Sequence, residues 1–126
     1  MKIRESAETY LETILLLKGT KGGVRSIDIA NELGYSKPSV SVAIKNLREN
    51  GYIMVADGWI TLTECGQKIA EAIYERHQIL SSFLMALGVD EKTAAEDACR
   101  IEHVISKQSF EKICEHFRHW QQHSGH

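Results

Sequence analysis

The sequence contains little proline, few cysteines and no long apolar run. Pro38 is the only proline among 126 residues, so long helices are permitted. The three cysteines, Cys65, Cys99 and Cys114, lie far apart and include no Cys-x-x-Cys pair, so no disulfide framework is expected. No apolar stretch approaches the roughly 20 residues that a membrane-spanning helix needs. Residues 1–5 contain no apolar stretch of the signal-peptide type, and we expect a cytoplasmic protein with no membrane partner.

A large excess of charge of one sign is also missing. The formal net charge is −2, with 25% charged residues and 43% hydrophobic residues, which is ordinary globular composition. The distribution is uneven, because residues 1–48 carry eight Lys and Arg against five Asp and Glu. The remainder carries seven against twelve. The basic excess thus lies in the N-terminal part, a mild asymmetry that by itself indicates no partner.

Apolar residues at helical spacing predict a leading helix. Ser6 is expected to cap it, and Gly19 with the Gly22-Gly23 pair to end it. The apolar stripe of this helix consists of Ala7, Tyr10, Leu11, Ile14, Leu15 and Leu17.

Two further helices with a short link follow. The first is expected over Ile27–Leu33, capped by Ser26 and closed by Gly34. The second is expected to begin after the cap Ser36, with Pro38 tolerated in its first turn, and to end at Gly51. A link this short sets two helices at a steep angle and is typical of a helix-turn-helix.

The period then changes to that of a β-hairpin. Residues 52–55 and 59–62 are predicted strands, joined by a two-residue Asp57-Gly58 turn. A long helix capped by Thr63 is expected to reach residue 87, followed by helices over residues 90–105 and 106–120. The order predicts a mainly α protein, with a winged helix-turn-helix DNA-binding domain over residues 1–63 and a helical domain over residues 64–126.

The predicted second helix of the helix-turn-helix would enter the major groove with its N-terminal end. Small hydroxyl side chains there let the backbone approach phosphates, and the helix N-terminus favours an anion. Lys37, Lys45 and Arg25 could add phosphate contacts. Pro38 and Val42 are suited to thymine methyl groups. The candidate DNA-binding residues are Arg25, Ser26, Ser36, Lys37, Pro38, Ser39, Ser41, Val42 and Lys45.

A second group of residues has the chemistry of a metal site. On a single helix, Cys99 lies three residues before Glu102 and four before His103, so all three side chains would share one face. A thiolate, a carboxylate and an imidazole suit a first-row transition metal. His77 on the long helix and Glu12 on the first helix could converge on the same point if the three helices pack together. The alternative is that these residues have only structural roles, with Cys99 buried, Glu102 in an ion pair and His103 at a helix cap.

The chain resembles the DtxR/MntR family of metal-dependent repressors, the group of the diphtheria toxin repressor and the manganese transport regulator. The matching stretches cover residues 6–14, 28–30 and 36–47, Arg76-His77, and Ala98-Cys99-Arg100-Ile101-Glu102-His103-Val104-Ile105-Ser106. The resemblance reaches about residue 120 and implies the short form of the family, without the C-terminal SH3-like domain. It implies a homodimer that uses a divalent metal as corepressor, so residues 64–126 are expected to bind metal and to dimerise.

Carried over by position, the family's metal ligands fall on Glu12, His77, Cys99, Glu102 and His103. A further ligand on the first helix falls on Thr9, a poor ligand that Glu8 or a water would have to replace. Cysteine at position 99 resembles the iron branch, whereas Glu12 resembles the manganese branch. The thiolate favours Fe²⁺, with Mn²⁺ next and Zn²⁺, Co²⁺ or Ni²⁺ as ions that would bind in vitro.

The resulting prediction is a non-enzymatic transcriptional regulator. Its metal-dependent binding to a palindromic operator would repress iron or manganese homeostasis genes. Apolar faces on the last two helices, Ala94, Ala98, Ile101 and Ile105 on one and Phe110, Ile113, Cys114 and Phe117 on the other, favour a two-fold interface. The alternatives are a metal-independent winged-helix regulator or protein-interaction module and, less favoured because no HExxH motif is present, a metalloenzyme.

Overall fold

The computed structural model describes the backbone of residues 5–124 and the side chains of residues 6–119. Within this range the chain forms six helices and one two-stranded antiparallel sheet, which confirms the mainly α winged helix-turn-helix prediction. The elements are α1 (Glu5–Lys21), α2 (Ser26–Leu33), α3 (Lys37–Glu49), β1 (Ile53–Ala56), β2 (Trp59–Leu62), α4 (Glu64–Ala86), α5 (Glu91–Ile101) and α6 (Lys107–Ser124). No helix of the described range is long and apolar enough to cross a bilayer.

The chain divides into two compact units, residues 1–73 and 74–126, and the division lies within α4. The core of the first unit is one apolar cluster contributed by α1, α2, α3, the hairpin and the start of α4. Its members are Tyr10, Leu11, Ile14, Leu17, Val24, Ile29, Ala30, Val40, Ile44, Leu47, Ile53, Ile60 and Ala70.

The helix-turn-helix forms where it was predicted, because the local turn chemistry determines it. Gly34 closes α2 in the left-handed region, at φ 71°, which glycine adopts without steric cost. The Ser36 hydroxyl then caps α3 by accepting the backbone N–H of Ser39 at 3.3 Å. Val40, Ile44 and Leu47 form the buried face of α3, as expected.

Two predicted helix starts are wrong by a residue or more. Ser6 lies inside α1, so it does not cap that helix. Ser26 is the first residue of α2, and Arg25 occupies the cap position. The carboxylate of Asp28 accepts the Arg25 backbone N–H at 2.9 Å, which moves the cap one residue upstream and lowers the pKa of Asp28.

The wing is a hairpin whose turn residues, Asp57 at φ 53° and Gly58 at φ 82°, have the left-handed conformation of a tight primed turn. The strands pair from Ile53 with Leu62 to Ala56 with Trp59. The first strand starts one residue later than predicted. The backbone of Tyr52 is engaged elsewhere, donating to Leu47 O at 3.0 Å and accepting from Thr63 N at 3.1 Å.

Helix α4 begins against the end of the hairpin. The Thr63 hydroxyl donates to Gly51 O at 2.7 Å and accepts the Gly66 backbone N–H at 3.1 Å, which confirms Thr63 as the cap. Gly66 is buried against the backbone of Tyr52, and a Cβ at Gly66 would overlap the Tyr52 carbonyl oxygen. The root of the wing and the start of α4 therefore pack backbone to backbone.

The second unit consists of the C-terminal part of α4 with α5 and α6. Its buried apolar residues are Leu80, Ala94, Ala98, Cys114 and Phe117. Phe83 meets Phe117 edge to face at 5.9 Å, and burial raises the pKa of the Cys114 thiol. Ser106 accepts the Ser109 backbone N–H at 3.0 Å and so caps α6.

Helix α5 ends earlier than the predicted residue 105. It runs from Glu91 to Ile101, and residues 102–105 form a turn. Asp90 caps its start by accepting the Thr93 backbone N–H at 3.1 Å and the Thr93 hydroxyl at 2.9 Å. These hydrogen bonds lower the pKa of Asp90.

We predict that Gly66→Ala destabilises the protein by about 1–3 kcal/mol, because the added methyl group overlaps backbone that cannot move aside. The matched control is Gly19→Ala on α1, where an added Cβ meets nothing within 4 Å. That variant should be unchanged or more stable by up to about 1 kcal/mol, since alanine is the better helix former. Urea unfolding of both variants measures the difference; equal stabilities would contradict the close packing at Gly66.

The Asp90 cap predicts an acid-sensitive contribution to stability. Because the folded pKa lies below 3.8, the contribution is complete above that pH and is lost as the pH falls through the lowered folded value. The stability advantage of the wild type over Asp90→Asn should therefore shrink as the pH is lowered below 3.8. Thermal unfolding of both proteins from neutral to acidic pH tests this, and a constant difference would contradict it.

Candidate metal centre and nucleic-acid interface

A fully buried carboxylate lies at the end of α5. Glu102 is the residue at the C-cap of the helix, and its side chain is 0% exposed. Its Oε2 atom lies 3.0 Å from His77 Nδ1, and its Oε1 atom lies 3.4 Å from His103 Nε2. A charged carboxylate is costly to bury unless cations or hydrogen bonds compensate it. The second unit thus places Glu102 between two imidazole rings.

The two imidazoles differ in their access to solvent. The side chain of His77 is 26% exposed, whereas that of His103 is 2% exposed. The donor atoms of the cluster are imidazole nitrogen and carboxylate oxygen, which bind first-row divalent metals such as Fe²⁺, Mn²⁺ and Zn²⁺. The three side chains fit a transition-metal ion by donor type, and His77 forms the open side of the cluster.

Arg76 holds the turn that carries Glu102 and His103. Its Nη1 atom donates to the backbone carbonyls of Glu102 at 3.2 Å and Ile105 at 3.4 Å. The same guanidinium lies 5.1 Å from the ring centroid of Phe110 on α6. A single arginine of α4 thus satisfies carbonyls left without helical partners at the end of α5. The sequence pattern did not reveal this role, although Arg76 directly precedes the candidate ligand His77.

The regular helix predicted to carry Cys99, Glu102 and His103 ends early, with Glu102 at its C-cap in the right-handed helical conformation. That these three side chains share one face stays a prediction. Helix α5 ends at Ile101, so Glu102 and His103 are not on the same regular helix as Cys99. Cys99 is exposed, whereas Glu102 and the ring of His103 are buried. Beyond the end of the helix, the carbonyls of Glu102 and Ile105 accept from Arg76.

The candidate ligands of the first helix lie in the first unit. Glu12 is 9% exposed, an unusual degree of burial for a carboxylate on α1. Glu8 and Thr9 are half-buried, and the Thr9 carbonyl accepts the Thr13 hydroxyl at 2.8 Å. Of these three residues, Glu12 is the most deeply buried anionic ligand candidate.

The candidate DNA-binding residues of α3 share its outer face. Six residues of the α3 set, together with its cap, are exposed: Ser36, Lys37, Pro38, Ser39, Ser41, Val42 and Lys45. Val42 is an apolar residue of this face and is 60% exposed. A cavity of about 260 Å³ lies between α2 and α3 and is lined by Ser26, Ile27, Lys37, Val40 and Ser41. The outer face of α3 is therefore accessible to the major groove of DNA.

Arg25 lies beside the wing. Its guanidinium carbon is 4.1 Å from the ring centroid of Trp59 on β2, a cation–π distance. Trp59 itself is 46% exposed, and no metal-site or DNA-binding role was predicted for it from the sequence. The only sequence signal for this contact was a large aromatic residue immediately after the hairpin turn.

Comparison with known proteins identifies both halves of the chain. Residues 2–57 match the profile of the N-terminal DNA-binding domain of iron-dependent repressors. Residues 63–125 match the profile of the metal-binding and dimerisation domain of the same repressors.

Two relatives illustrate the similarity of sequence. The transcriptional regulator MntR of Salmonella typhimurium is 38% identical over 109 residues, covering 86% of this chain and 69% of that protein. An uncharacterised HTH-type transcriptional regulator of Methanocaldococcus jannaschii is 36% identical over 112 residues, covering 86% of this chain and 90% of that protein.

Solved structures share the fold. A manganese-dependent transcriptional repressor in complex with manganese is 29% identical with a TM-score of 0.78, covering 85% of this chain. The match spans only 50% of that longer chain. A hypothetical protein from Sulfolobus solfataricus has a TM-score of 0.70 at 21% identity and covers 91% of this chain and 89% of its own. The chain therefore belongs to the DtxR/MntR family of iron-dependent repressors, which are metal-responsive regulators of transcription.

Proposed function

We propose that this protein is a homodimeric repressor that binds a palindromic operator when a divalent metal occupies its second unit. One observation carries the proposal: the buried carboxylate of Glu102 lies between the imidazoles of His77 and His103. This group lies within the region that matches the family's metal-binding and dimerisation domain. We assign the protein no catalytic role, in keeping with the regulators to which it is related.

His77, Glu102 and His103 are the proposed centre of the ligand set. A bound divalent ion would supply positive charge next to a carboxylate that has been removed from water. Arg76 fixes the turn carrying Glu102 and His103, so these side chains are held in place before an ion arrives. We include Cys99 as a ligand because of the family resemblance.

We further propose that Glu12 completes the site from α1, with Glu8, Thr9 or a water as an additional ligand. The support is the family position of Glu12 and the low exposure of this residue, 9%. Ligands from both units would restrict the DNA-binding unit to the arrangement that fits two successive major grooves, about 34 Å apart. Typical couplings of 1–3 kcal/mol correspond to a rise in DNA affinity of roughly 5- to 150-fold.

The physiological ion is proposed to be Fe²⁺ with Mn²⁺ as the alternative. A thiolate ligand at position 99 favours Fe²⁺, whereas MntR of Salmonella typhimurium and the manganese-bound repressor favour Mn²⁺ by relationship. Zn²⁺, Co²⁺ and Ni²⁺ are expected to bind in vitro. Anaerobic competition between Fe²⁺ and Mn²⁺, measured as binding of a selected operator duplex, decides between the two ions.

We predict that Glu102→Gln abolishes the metal response. Wild-type affinity for a duplex selected from a random pool should rise about 5- to 150-fold with Mn²⁺ or anaerobic Fe²⁺. Metal should also stabilise the wild type by about 2.7 kcal/mol at 100 times its dissociation constant. Both effects should vanish in Glu102→Gln, because the amide removes the anionic ligand. Fluorescence anisotropy and thermal melting measure them.

The matched control for this substitution is Glu96→Gln, an exposed glutamate on the same helix. Its DNA binding and its metal-dependent melting should equal those of the wild type. His77→Ala, at the more exposed imidazole, tests the site without emptying a fully buried position. A normal metal response in both Glu102→Gln and His77→Ala would refute the proposed centre.

A separate prediction concerns the DNA-binding face of α3. Lys37→Ala should weaken binding to all duplexes and reduce the slope of log affinity against log salt by about 1, the loss of one phosphate contact. The control is Lys112→Ala on α6, whose side chain is 71% exposed and lies outside the proposed DNA-binding face. Anisotropy titrations over a range of salt concentrations measure both slopes. Equal slopes for the two variants would remove Lys37 from the DNA interface.

A further inference from the structure

The wing carries no basic residue. The hairpin and its flanking residues, 52–63, contain one charged side chain, that of Asp57 in the turn. Affinity for DNA depends mainly on cations that neutralise phosphates. An acidic tip alone would repel the DNA backbone, so a wing of this composition needs a cation from outside its own strands.

Arg25 is placed to supply that cation. Its guanidinium lies over the Trp59 ring at 4.1 Å. Its Nη1 atom is 3.3 Å from the position that a Cβ on Gly58 would occupy, which places the charge directly beside the hairpin turn. The absence of a side chain at Gly58 leaves room for the guanidinium.

The backbone around Arg25 is fixed from two directions. Ile60 N donates to Val24 O at 2.8 Å. Val24, in the segment before α2, thus forms a single antiparallel bridge with Ile60 of β2. The Asp28 carboxylate accepts the Arg25 backbone N–H and also pairs with Lys21 Nζ at 3.4 Å. The backbone N–H and the lysine both engage the Asp28 carboxylate, while the guanidinium of Arg25 stacks on the indole.

The Trp59 ring is itself held in place. A Cβ on Gly23 would lie 2.8 Å from Trp59 Cζ3, so the indole packs against the bare backbone of Gly23. An indole fixed in this way limits the rotamers of the stacked arginine, and a cation held in advance loses less freedom when it binds a phosphate. The guanidinium keeps its donor N–H groups, which suit phosphate oxygens.

We propose that Arg25 is the phosphate-binding cation of the wing and that Trp59 is the positioning residue that holds it there. This inference rests on the proposed function, because it requires that the first unit binds duplex DNA. It assigns to the segment before α2 and to β2 a joint contact with the DNA backbone, in addition to the contacts of α3.

Anisotropy titrations over a range of salt concentrations test the proposal, with the metal-loaded full chain and a duplex selected by the wild type from a random pool. Arg25→Ala should lower the affinity about 10-fold and reduce the salt slope by about 1. Trp59→Ala should lower the affinity about 2- to 5-fold, the equivalent of an exposed cation–π contact. The double variant should be no weaker than Arg25→Ala alone, since Trp59 acts through Arg25.

Conservative variants separate positioning from simple packing. Trp59→Phe should retain most of the affinity, because a smaller aromatic platform remains, and Arg25→Lys should keep the salt slope while losing affinity. Thermal melting confirms that each variant is folded. Additive losses in the double variant, or an unchanged salt slope in Arg25→Ala, would overturn the inference while leaving the repressor function intact. A wild-type protein that selects no duplex would instead overturn the proposed function together with the inference.

Discussion

The burial of one carboxylate constrains most of the second unit. An ionised carboxylate removed from water has to be compensated by nearby positive charge or hydrogen bonds. Glu102 meets this requirement with His77 from α4 on one side and His103 from its own turn on the other. Arg76 reinforces the arrangement by binding the carbonyls of the same turn and stacking on Phe110 of α6. The three helices of this unit are thus connected through one polar cluster.

Features set by near neighbours in the chain could be read from the sequence. The Asp57-Gly58 turn, the left-handed Gly34 and the caps at Ser36 and Thr63 each depend on residues within a few positions, and these predictions are confirmed. The cap of α2 is one residue away from the prediction because the carboxylate of Asp28 competes for the backbone N–H of Arg25. Residues adjacent in sequence therefore determined the overall winged helix-turn-helix plan.

The end of α5 could not be read in the same way. Residues 102–105 have no glycine or proline that would signal a stop. The carbonyl of Glu102 in this turn accepts from Arg76, which lies 26 residues earlier in the chain. Periodicity assumed a regular helix through Glu102 and His103, whereas α5 ends at Ile101. The resemblance to the family identified the candidate ligands, and the contacts among them required the folded chain.

The close approach of Gly66 to the Tyr52 carbonyl has a consequence for how the hairpin can vary. Tyr52 is hydrogen-bonded to Leu47 and Thr63, and Thr63 is hydrogen-bonded to Gly51. An added residue at the base of the hairpin would break these hydrogen bonds. The Asp57-Gly58 tip is exposed on both residues, and its neighbour at Gly58 is the flexible side chain of Arg25 rather than backbone. Residues can therefore be inserted into the hairpin, or its charge changed, at the tip alone. A grafted hairpin intended to change the preferred operator sequence should keep the Gly51–Tyr52 and Thr63–Gly66 junctions unchanged.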